Sequence, residues 1–138
     1  MARTIINVAI AGQGRSGYDI HARWLREATD QYKIVAVADL MGVRRKEAVA
    51  AFGCKAYPDA EAMLAHAGVD LVVNALPNYL HPPFTLAALR AGRHVVCEKP
   101  SATKVADMDR MIAAAKKARR VLAPFQNSRF SPVFRKIQ

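Results

Sequence analysis

Short apolar runs alternate with stretches of helical periodicity along the whole chain. The runs span residues 5–11, 34–38, 71–73, 95–97 and 121–123, and a shorter run lies at residues 55–57. Consecutive Val, Ile, Leu and Ala residues are typical of parallel strands that are buried on both faces. Because each run is followed by a helical pattern, the order predicts an α/β fold, a doubly wound parallel sheet flanked by helices.

The spacing of apolar residues within the helical patterns predicts which side chains face the sheet. Apolar residues three and four positions apart share one face of a helix. Pro82 and Gly92 are typical of the start and the end of a helix, and Thr103 is a candidate cap for a helix over residues 104–118. The predicted inward residues are Gly17, Ile20, His21, Trp24, Leu25, Ala28, Val49, Phe52, Leu86, Leu89, Val105, Met108, Met111, Ile112 and Ala115.

A glycine-rich turn, G-Q-G-R-S-G, follows the first apolar run at residues 12–17, and Asp39 ends the second run. A G-x-G-x-x-G turn between a strand and a helix, with an acid about 20 residues further on, is typical of a dinucleotide-binding βαβ unit. Its glycines permit a tight turn, the approach of a pyrophosphate and close helix packing. The sequence therefore predicts a Rossmann fold with strand order 3-2-1-4-5-6 and a crevice at the carboxyl ends of strands 1 and 4.

Asp39 bears on the choice between NAD and NADP. A carboxylate at this position accepts hydrogen bonds from the adenosine ribose, and it would repel a 2′-phosphate. Arg44 and Arg45 leave NADP open, since either side chain can reach a 2′-phosphate or lie on the adenine face. They also fit ordinary solvated residues of the second helix. The predicted cofactor is NAD, with NADP as the alternative.

A second polar cluster, Glu98-Lys99-Pro100, follows the apolar run at residues 95–97. At the carboxyl edge of the sheet a lysine can donate to a bound hydroxyl or carbonyl, and burial can lower its pKa enough for proton transfer. Glu98 can hold the ammonium of Lys99. The alternative is a structural Glu–Lys pair before a helix-starting proline, and spacing alone favours that alternative.

One of the four histidines, His81, falls on a predicted loop at the carboxyl edge, where a ligand contact and a structural role are both open. His21 lies on an apolar helix face and is predicted to be a satisfied core residue. His66 lies at a helix end and His94 at a strand start, so structural hydrogen bonds are expected for both. No spacing typical of metal ligands occurs, and no metal is predicted.

The chain of 138 residues carries 21 Lys and Arg against 11 Asp and Glu, a net charge of +10. The densest basic cluster falls at the end of a predicted helix, where cations complement the helix dipole. Because it lacks interleaved aromatic residues and a reading motif, we predict a solvated helix end and no nucleic-acid partner. The cluster consists of Lys116, Lys117, Arg119 and Arg120.

The compartment is predicted from apolar runs and cysteines. No apolar run approaches the roughly 20 residues of a membrane span, and the first run is too short for a signal peptide. Cys54 and Cys97 lie in separate units without a C-x-x-C pattern, so they are predicted to be reduced, packed thiols. Together these features predict a cytoplasmic protein with no membrane partner.

The last residues suggest a domain boundary. Residues 1–124 are predicted to form one cofactor-binding domain, and residues 125–138 the start of a crossover to a further domain. The chain ends within an apolar helical pattern, so we expect a truncated protein whose end self-associates or is disordered. The residues of this pattern are Phe130, Ser131, Pro132, Phe134 and Ile137.

Four segments together resemble the Gfo/Idh/MocA family of glucose-fructose oxidoreductase and inositol dehydrogenase. They lie at residues 8–17, 35–39, 74–81 and 92–100, and read VAIAGQGRSG, VAVAD, NALPNYLH and GRHVVCEKP. The resemblance covers nearly the whole chain, and the Glu-Lys-Pro box is its most specific part.

The resemblance implies an NAD(P)-dependent oxidoreductase that transfers a hydride between nicotinamide and a sugar, a polyol or a related hydroxyl compound. It makes Lys99 the catalytic residue, in contact with the substrate and the nicotinamide ribose and assisting proton transfer. It also implies that residues 74–78 border the cofactor and that residues 126–130 approach cofactor or substrate. The predicted cofactor-binding residues are Gly12, Gln13, Gly14, Arg15, Ser16, Gly17, Asp39, Leu40, Arg44, Asn74, Ala75, Leu76, Pro77, His81, Glu98, Lys99 and Asn127.

Members of this family carry a second, α+β domain that holds the substrate pocket, much of the oligomer interface and usually an acid/base histidine. The resemblance therefore implies that these residues alone bind the cofactor with little turnover. A sugar-like substrate, with a homo-oligomer as one option, is expected of the full-length protein. A non-catalytic dinucleotide-sensing or binding module on the same fold is the alternative.

Overall fold

A computed structural model describes residues 4–137, and these residues form a parallel sheet with helices on both faces. The strands are β1 (Ile6–Ala11), β2 (Tyr32–Ala38), β3 (Lys55–Tyr57), β4 (Leu71–Asn74), β5 (His94–Cys97) and β6 (Leu122–Pro124). The helices are α1 (Arg15–Ala22, continued by Arg23–Leu25), α2 (Gly42–Phe52), α3 (Ala60–Leu64), α4 (His81–Arg90), α5 (Val105–Ala118) and α6 (Pro132–Ile137). The strand order, β3-β2-β1-β4-β5-β6, is the predicted one.

β1 lies near the centre of the sheet, between β2 and β4, and its side chains alternate between two cores. Val8 and Ile10 face one core, and the residues between and after them face the other. The last residue of the strand, Ala11, is paired with Ala38 at the end of β2 and with Asn74 at the end of β4. The carboxyl ends of the three strands therefore meet at one edge, where a Rossmann fold holds its ligand.

One layer of helices covers each face of the sheet. On one face α1 and α2 bury Ala22, Leu25 and Ala48 against the strands. On the other face α3, α4 and α5 bury Met63, Phe84, Ala88, Leu89, Met111 and Ala115. Two covered faces explain why the strands read as continuous apolar runs rather than alternating ones.

Five residues predicted to face inward are exposed instead: Ile20, Trp24, Val49, Val105 and Ile112. In α2 and α5 the exposed Val49 and Ile112 lie about 100° around the helix from the buried Ala48 and Met111. In α1 the stretch Arg15–Ala22 winds as a π-helix, and the N–H after it bonds to the carbonyl five residues earlier. An α-helical spacing therefore misplaces the inward face of α1.

Element ends differ from the predicted ones by one or two residues. β2 begins at Tyr32, which pairs with Ile6 at the start of β1. Thr103 does not cap α5, because Lys104 occupies the N-cap position and no side chain caps the helix there. Gly92, with φ of +75°, follows α4 as predicted.

Several smaller predictions are confirmed. Cys54 and Cys97 are buried free thiols. The Nδ1 atom of His94 accepts a hydrogen bond from the Val121 N–H at 3.0 Å, which is a structural role. The basic residues at the end of α5, Lys116, Lys117, Arg119 and Arg120, are all exposed.

The predicted terminal helix is present as α6, after a 3-10 turn at Asn127–Phe130. Phe130 and Ile137 are 74% and 78% exposed, whereas Phe134 is half-buried. The self-association expected of these residues and the domain boundary after residue 124 stay predictions. Of the helices within residues 4–137, none has both the length and the apolar character needed to cross a membrane.

Candidate functional site

A cleft of about 560 Å³ opens at the carboxyl edge of the sheet, at the ends of β1, β2 and β4. Its volume lies in the range of small-molecule sites, about 300–1,000 Å³. Its walls come from the turn after β1 and from the loops after β2, β3 and β4. The lining residues are Gly12, Gly14, Arg15, Ser16, Ala38, Asp39, Leu40, Met41, Arg44, Pro58, Asp59, Ala60, Ala75, Leu76, Pro77, Tyr79 and Leu80.

The three glycines of the turn after β1 have different steric roles. Gly12 has φ of +91°, and a Cβ atom there would lie 2.4 Å from the carbonyl oxygen of Ala75. A Cβ atom on Gly17 would lie 1.8 Å from the carbonyl oxygen of Gly12. A Cβ atom on Gly14 would approach the Arg44 guanidinium at 3.8 Å, an ordinary contact. Gly12 and Gly17 are therefore required by the fold, and Gly14 presents an open backbone to the cleft.

The carboxylate of Asp39, at the end of β2, is held by two backbone amides. Its Oδ2 accepts from the Gln13 N–H at 2.8 Å, and its Oδ1 accepts from the Met41 N–H at 2.8 Å. The side chain is 8% exposed, and the residue lines the cleft. The carboxylate is thus fixed where the turn after β1 meets the turn after β2.

The two arginines of α2 differ in their surroundings. Arg45 donates to the carbonyl oxygens of Asp39 and Leu40, at 2.7 and 2.9 Å, and is committed to the backbone. Arg44 lines the cleft, with Nη1 3.5 Å from Oδ2 of Asp39 and a side chain that is 42% exposed. Of the two, Arg44 is the one placed to meet a ligand.

Asn74 holds the loop after β4 from behind. Its fully buried side-chain amide donates to the carbonyl oxygen of His81 and to the hydroxyl of Thr85, both at 3.0 Å. The three residues that follow Asn74 line the cleft, whereas Asn74 itself supports them.

The ring of His81 also lies behind the cleft, and the residue is 1% exposed. Its Nε2 is 2.8 Å from the carbonyl oxygen of Leu76, and its Nδ1 is 2.8 Å from that of Pro100. The ring therefore ties the loop after β4 to the loop after β5. His81 therefore supports the cleft from behind rather than lining it, and a contact between His81 and a bound ligand stays a prediction.

A second pocket of about 160 Å³ lies at the end of β5. It shares Arg15 and Ser16, the first residues of α1, with the larger cleft. Lys99 is exposed there, and the Lys99–Pro100 peptide bond is cis. The lining residues are Arg15, Ser16, Ile20, Glu98, Lys99, Phe125 and Asn127.

From the sequence, the ammonium of Lys99 is a candidate partner for Glu98. Within residues 4–137 the Glu98 carboxylate pairs with His21 instead. Its Oε1 is 3.0 Å from Nε2 of His21, and its Oε2 accepts from the backbone N–H of Lys99 at 3.1 Å. Burial lowers the pKa of His21 by desolvating the imidazolium, and the hydrogen bond and charge of Glu98 oppose this lowering in part. The alternative in which Pro100 starts a helix is wrong, because α5 begins at Val105.

Most of the predicted site residues line one of the two pockets. Those that lie outside the lining are Gln13, Gly17, Asn74 and His81. The sequence reasoning missed Ala38, Met41, Pro58, Asp59, Ala60, Tyr79 and Leu80 in the cleft, and Ile20 and Phe125 in the second pocket. Residues 58–60 could have been found, because they follow the third strand and the carboxyl ends of parallel strands carry the ligand.

A sequence profile of GFO_IDH_MocA, described as an oxidoreductase family with an NAD-binding Rossmann fold, matches residues 6–125. The chain belongs to the Gfo/Idh/MocA family. Myo-inositol 2-dehydrogenase of Thermotoga maritima is 34% identical over 134 residues, which are 96% of this chain and 40% of the relative. This Gfo/Idh/MocA chain spans about 40% or less of the length of the curated relatives that it matches.

Solved structures of other oxidoreductases superpose on this Gfo/Idh/MocA domain. The WlbA dehydrogenase of Bordetella pertussis, in complex with NADH and UDP-GlcNAcA, has a TM-score of 0.89 at 30% identity, over 98% of this chain and 39% of that one. A 3-ketoreductase from Actinomadura kijaniata, in complex with NADP and TDP-benzene, has a TM-score of 0.89 at 28% identity, over 97% of this chain and 41% of that one.

The residues of the two pockets fit the nicotinamide dinucleotide that the family binds. Gly14 leaves its backbone open at the start of α1, where the helix dipole favours the pyrophosphate. The fixed carboxylate of Asp39 suits the two hydroxyls of a ribose. Lys99 lies in the second pocket, which shares Arg15 and Ser16 with the cleft.

Proposed function

We propose that this chain is the cofactor-binding part of an NAD(P)-dependent oxidoreductase that transfers a hydride between nicotinamide and a sugar, a polyol or a related hydroxyl compound. One observation carries the proposal: the two pockets meet at Arg15 and Ser16, with Asp39 in one and Lys99 in the other. This arrangement offers one extended site for the adenosine, the pyrophosphate and the nicotinamide ribose.

The chain's own residues would bind the cofactor as follows. The backbone from Gly12 to Ser16 would bind the pyrophosphate, and Asp39 would accept hydrogen bonds from the adenosine ribose. Because the Asp39 carboxylate repels a 2′-phosphate, we propose NAD as the preferred cofactor. Arg44, 3.5 Å from that carboxylate, supplies the cation that allows NADP as the alternative.

The side chain of Lys99 would act on the substrate. When bound, the nicotinamide accepts or donates the hydride. Lys99 is exposed at the pocket and can donate to the oxygen of a secondary alcohol or carbonyl, thereby orienting it and assisting its proton transfer. Of residues 74–78, Ala75, Leu76 and Pro77 line the cleft and would border the cofactor, and Asn127 lines the Lys99 pocket from the segment after β6.

We further propose that these residues alone bind the cofactor with little turnover, because hydride transfer needs a wall that holds the substrate against the nicotinamide. The full-length protein would supply the sugar or polyol pocket, with a homo-oligomer as one option.

Cys54 and Cys97 are free thiols, which supports a reducing cytoplasm as the compartment.

The proposal is tested in a full-length protein that contains this chain, by comparing Lys99→Ala with the control Lys104→Ala. Lys104 precedes α5, outside both pockets. We expect Lys99→Ala to lower kcat at least about a hundredfold, the scale of one lost acid–base group, and Lys104→Ala to change little. If Lys99→Ala keeps full dehydrogenase activity while NAD still binds, the sensing or binding module on the same fold replaces this proposal.

A further inference from the structure

A buried polar pair, His21 and Glu98, lies beside Lys99, and Glu98 also lines the Lys99 pocket. Nε2 of His21 is 3.0 Å from Oε1 of Glu98, and both side chains are 8% exposed. Because a carboxylate only accepts, the imidazole proton lies on Nε2 and is donated to Glu98. The second oxygen, Oε2, accepts from the backbone N–H of Lys99 at 3.1 Å. An unbroken series of hydrogen bonds therefore runs from α1 to the backbone of Lys99.

The surroundings of this pair restrict its movement. The ring of His21 packs on Phe125, with ring centroids 4.4 Å apart. The Phe125 N–H donates to the carbonyl oxygen of Cys97 at 2.8 Å, and the Glu98 N–H donates to that of Asn74 at 3.0 Å. His21 is thus held between the end of β5 and the residue after β6, and its ring position determines where the Glu98 carboxylate can lie.

Stability alone does not account for a buried imidazole–carboxylate pair at this point. Removing both groups from water is costly, and apolar residues of similar volume often stabilise a core as well or better. The pair instead connects two parts of one site. α1 starts with Arg15 and Ser16, which line both pockets, and the same helix carries His21 to the back of Lys99.

We propose that His21 is a positioning residue for Lys99. Acting through Glu98, it fixes the backbone at Lys99 and so sets the reach of the ammonium into the pocket shared with Arg15 and Ser16. This inference rests on the proposed function, which places the nicotinamide ribose in that pocket.

Nuclear magnetic resonance of the isotopically labelled 138-residue chain tests the proposal with two variants and a control. His21→Phe keeps an aromatic ring against Phe125 and removes the donor. His21→Gln keeps a donor, because its amide nitrogen can take the position of Nε2. His94→Phe is the matched control, since His94 begins β5 at the opposite edge of the sheet. Dispersed spectra report whether each variant is folded.

We expect the backbone amide resonance of Lys99 to move upfield in His21→Phe, because its acceptor is no longer fixed. The NADH-induced change at Lys99 should be lost while the change at Ser16 remains, and NADH affinity should fall about threefold to tenfold, the scale of one hydrogen bond. His21→Gln should restore the Lys99 resonance, its NADH-induced change and the NADH affinity, whereas His94→Phe should alter none of these three. Unchanged Lys99 resonances in His21→Phe, or no restoration by His21→Gln, would overturn the proposal.

A measurement on the unaltered chain covers the case in which His21→Phe fails to fold. During a pH titration the Lys99 amide resonance should follow the ionisation of the His21 ring, because the two share Glu98. A Lys99 resonance that does not move with the His21 ring overturns the positioning role. If the unaltered chain does not bind NADH at all, the proposed function fails, and this titration still decides whether His21 controls Lys99.

Discussion

Gly17→Ala separates a glycine that the fold requires from Gly14, which serves a ligand. A Cβ atom on Gly17 would lie 1.8 Å from the Gly12 carbonyl oxygen, so α1 must move away from β1 by about 1.6 Å to reach the 3.4 Å of ordinary contact. Overpacking of this kind typically costs 1–3 kcal/mol, and the upper end applies because the partner is backbone. The higher helix propensity of Ala offsets about 1 kcal/mol. We expect a net loss of about 2 kcal/mol in the free energy of unfolding.

Gly14→Ala is the matched substitution in the same turn. Gly14 has an extended backbone with φ of −79° that any residue adopts, and its Cβ atom would make one ordinary contact at 3.8 Å. We expect its free energy of unfolding to change by no more than about 0.5 kcal/mol. The added methyl would occupy backbone that the pyrophosphate approaches, so we expect NADH affinity to fall about tenfold or more, equivalent to about 1.4 kcal/mol.

Urea unfolding and NADH titration of both variants decide between these two steric roles. At roughly 3–5 °C per kcal/mol for a chain of this size, Gly17→Ala should also lower Tm by about 6 °C or more. The reasoning is refuted if Gly17→Ala is as stable as the unaltered chain. It is equally refuted if Gly14→Ala unfolds early while the folded fraction binds NADH normally.

Three further predictions follow from single side chains. Asp39→Ser should weaken NAD binding about tenfold to a hundredfold, the scale of hydrogen bonds to a charged group, and it should weaken NADP binding less. Substitution of the exposed Asp109 by Ser is the control, and it should leave both affinities unchanged in a calorimetric titration. Burial lowers the pKa of His21, so the unfolded chain binds a proton at a higher pH than the folded chain does, and the free energy of unfolding should fall as pH decreases from about 6.5 toward that lowered pKa. In urea unfolding at several pH values, His21→Gln should remove this part of the fall. An unaltered pH dependence in His21→Gln would contradict the prediction. Burial raises the pKa of the Cys54 and Cys97 thiols. A disulfide reagent should therefore modify both thiols slowly in the native chain and at once in denaturant. Rapid modification of the native chain would argue against the burial of these two cysteines.

The fold could be predicted because strand burial and chain order leave strong local signals. Continuous apolar runs and alternating helices define the doubly wound sheet, and the glycine turn fixes its first crossover. The inward faces of the helices were harder to predict than the strands, as the exposed Trp24 shows. Trp24 lies just after the π-helical part of α1, where the wider turns rotate the inward face away from the position that α-helical spacing predicts.

The site could be predicted in part because ligand-binding residues follow parallel strands. Asp39 was predicted by that rule together with the glycine turn, whereas the catalytic role of Lys99 was implied by the family resemblance, because spacing alone favoured a structural Glu–Lys pair. The partners of Glu98 and His81 were not found, because they depend on contacts between distant segments. Glu98 meets His21 from 77 residues away, and His81 reaches the carbonyl oxygen of Pro100 across 19 residues. Such pairs are set by the three-dimensional packing of two loops and a helix.

Thermal unfolding of the 138-residue chain with increasing NAD, NADH and NADP tests most directly whether the two pockets form one dinucleotide site. A ligand bound only by the native state stabilises it by about 2.7 kcal/mol at a hundredfold excess over Kd, so Tm should rise by several degrees and more at a given concentration of NAD than of NADP. Gly14→Ala should lower the rise by about half or more at the same nucleotide concentration, because a tenfold weaker Kd removes about 1.4 kcal/mol of that stabilisation. An unchanged Tm with all three nucleotides at saturating concentrations would contradict the account.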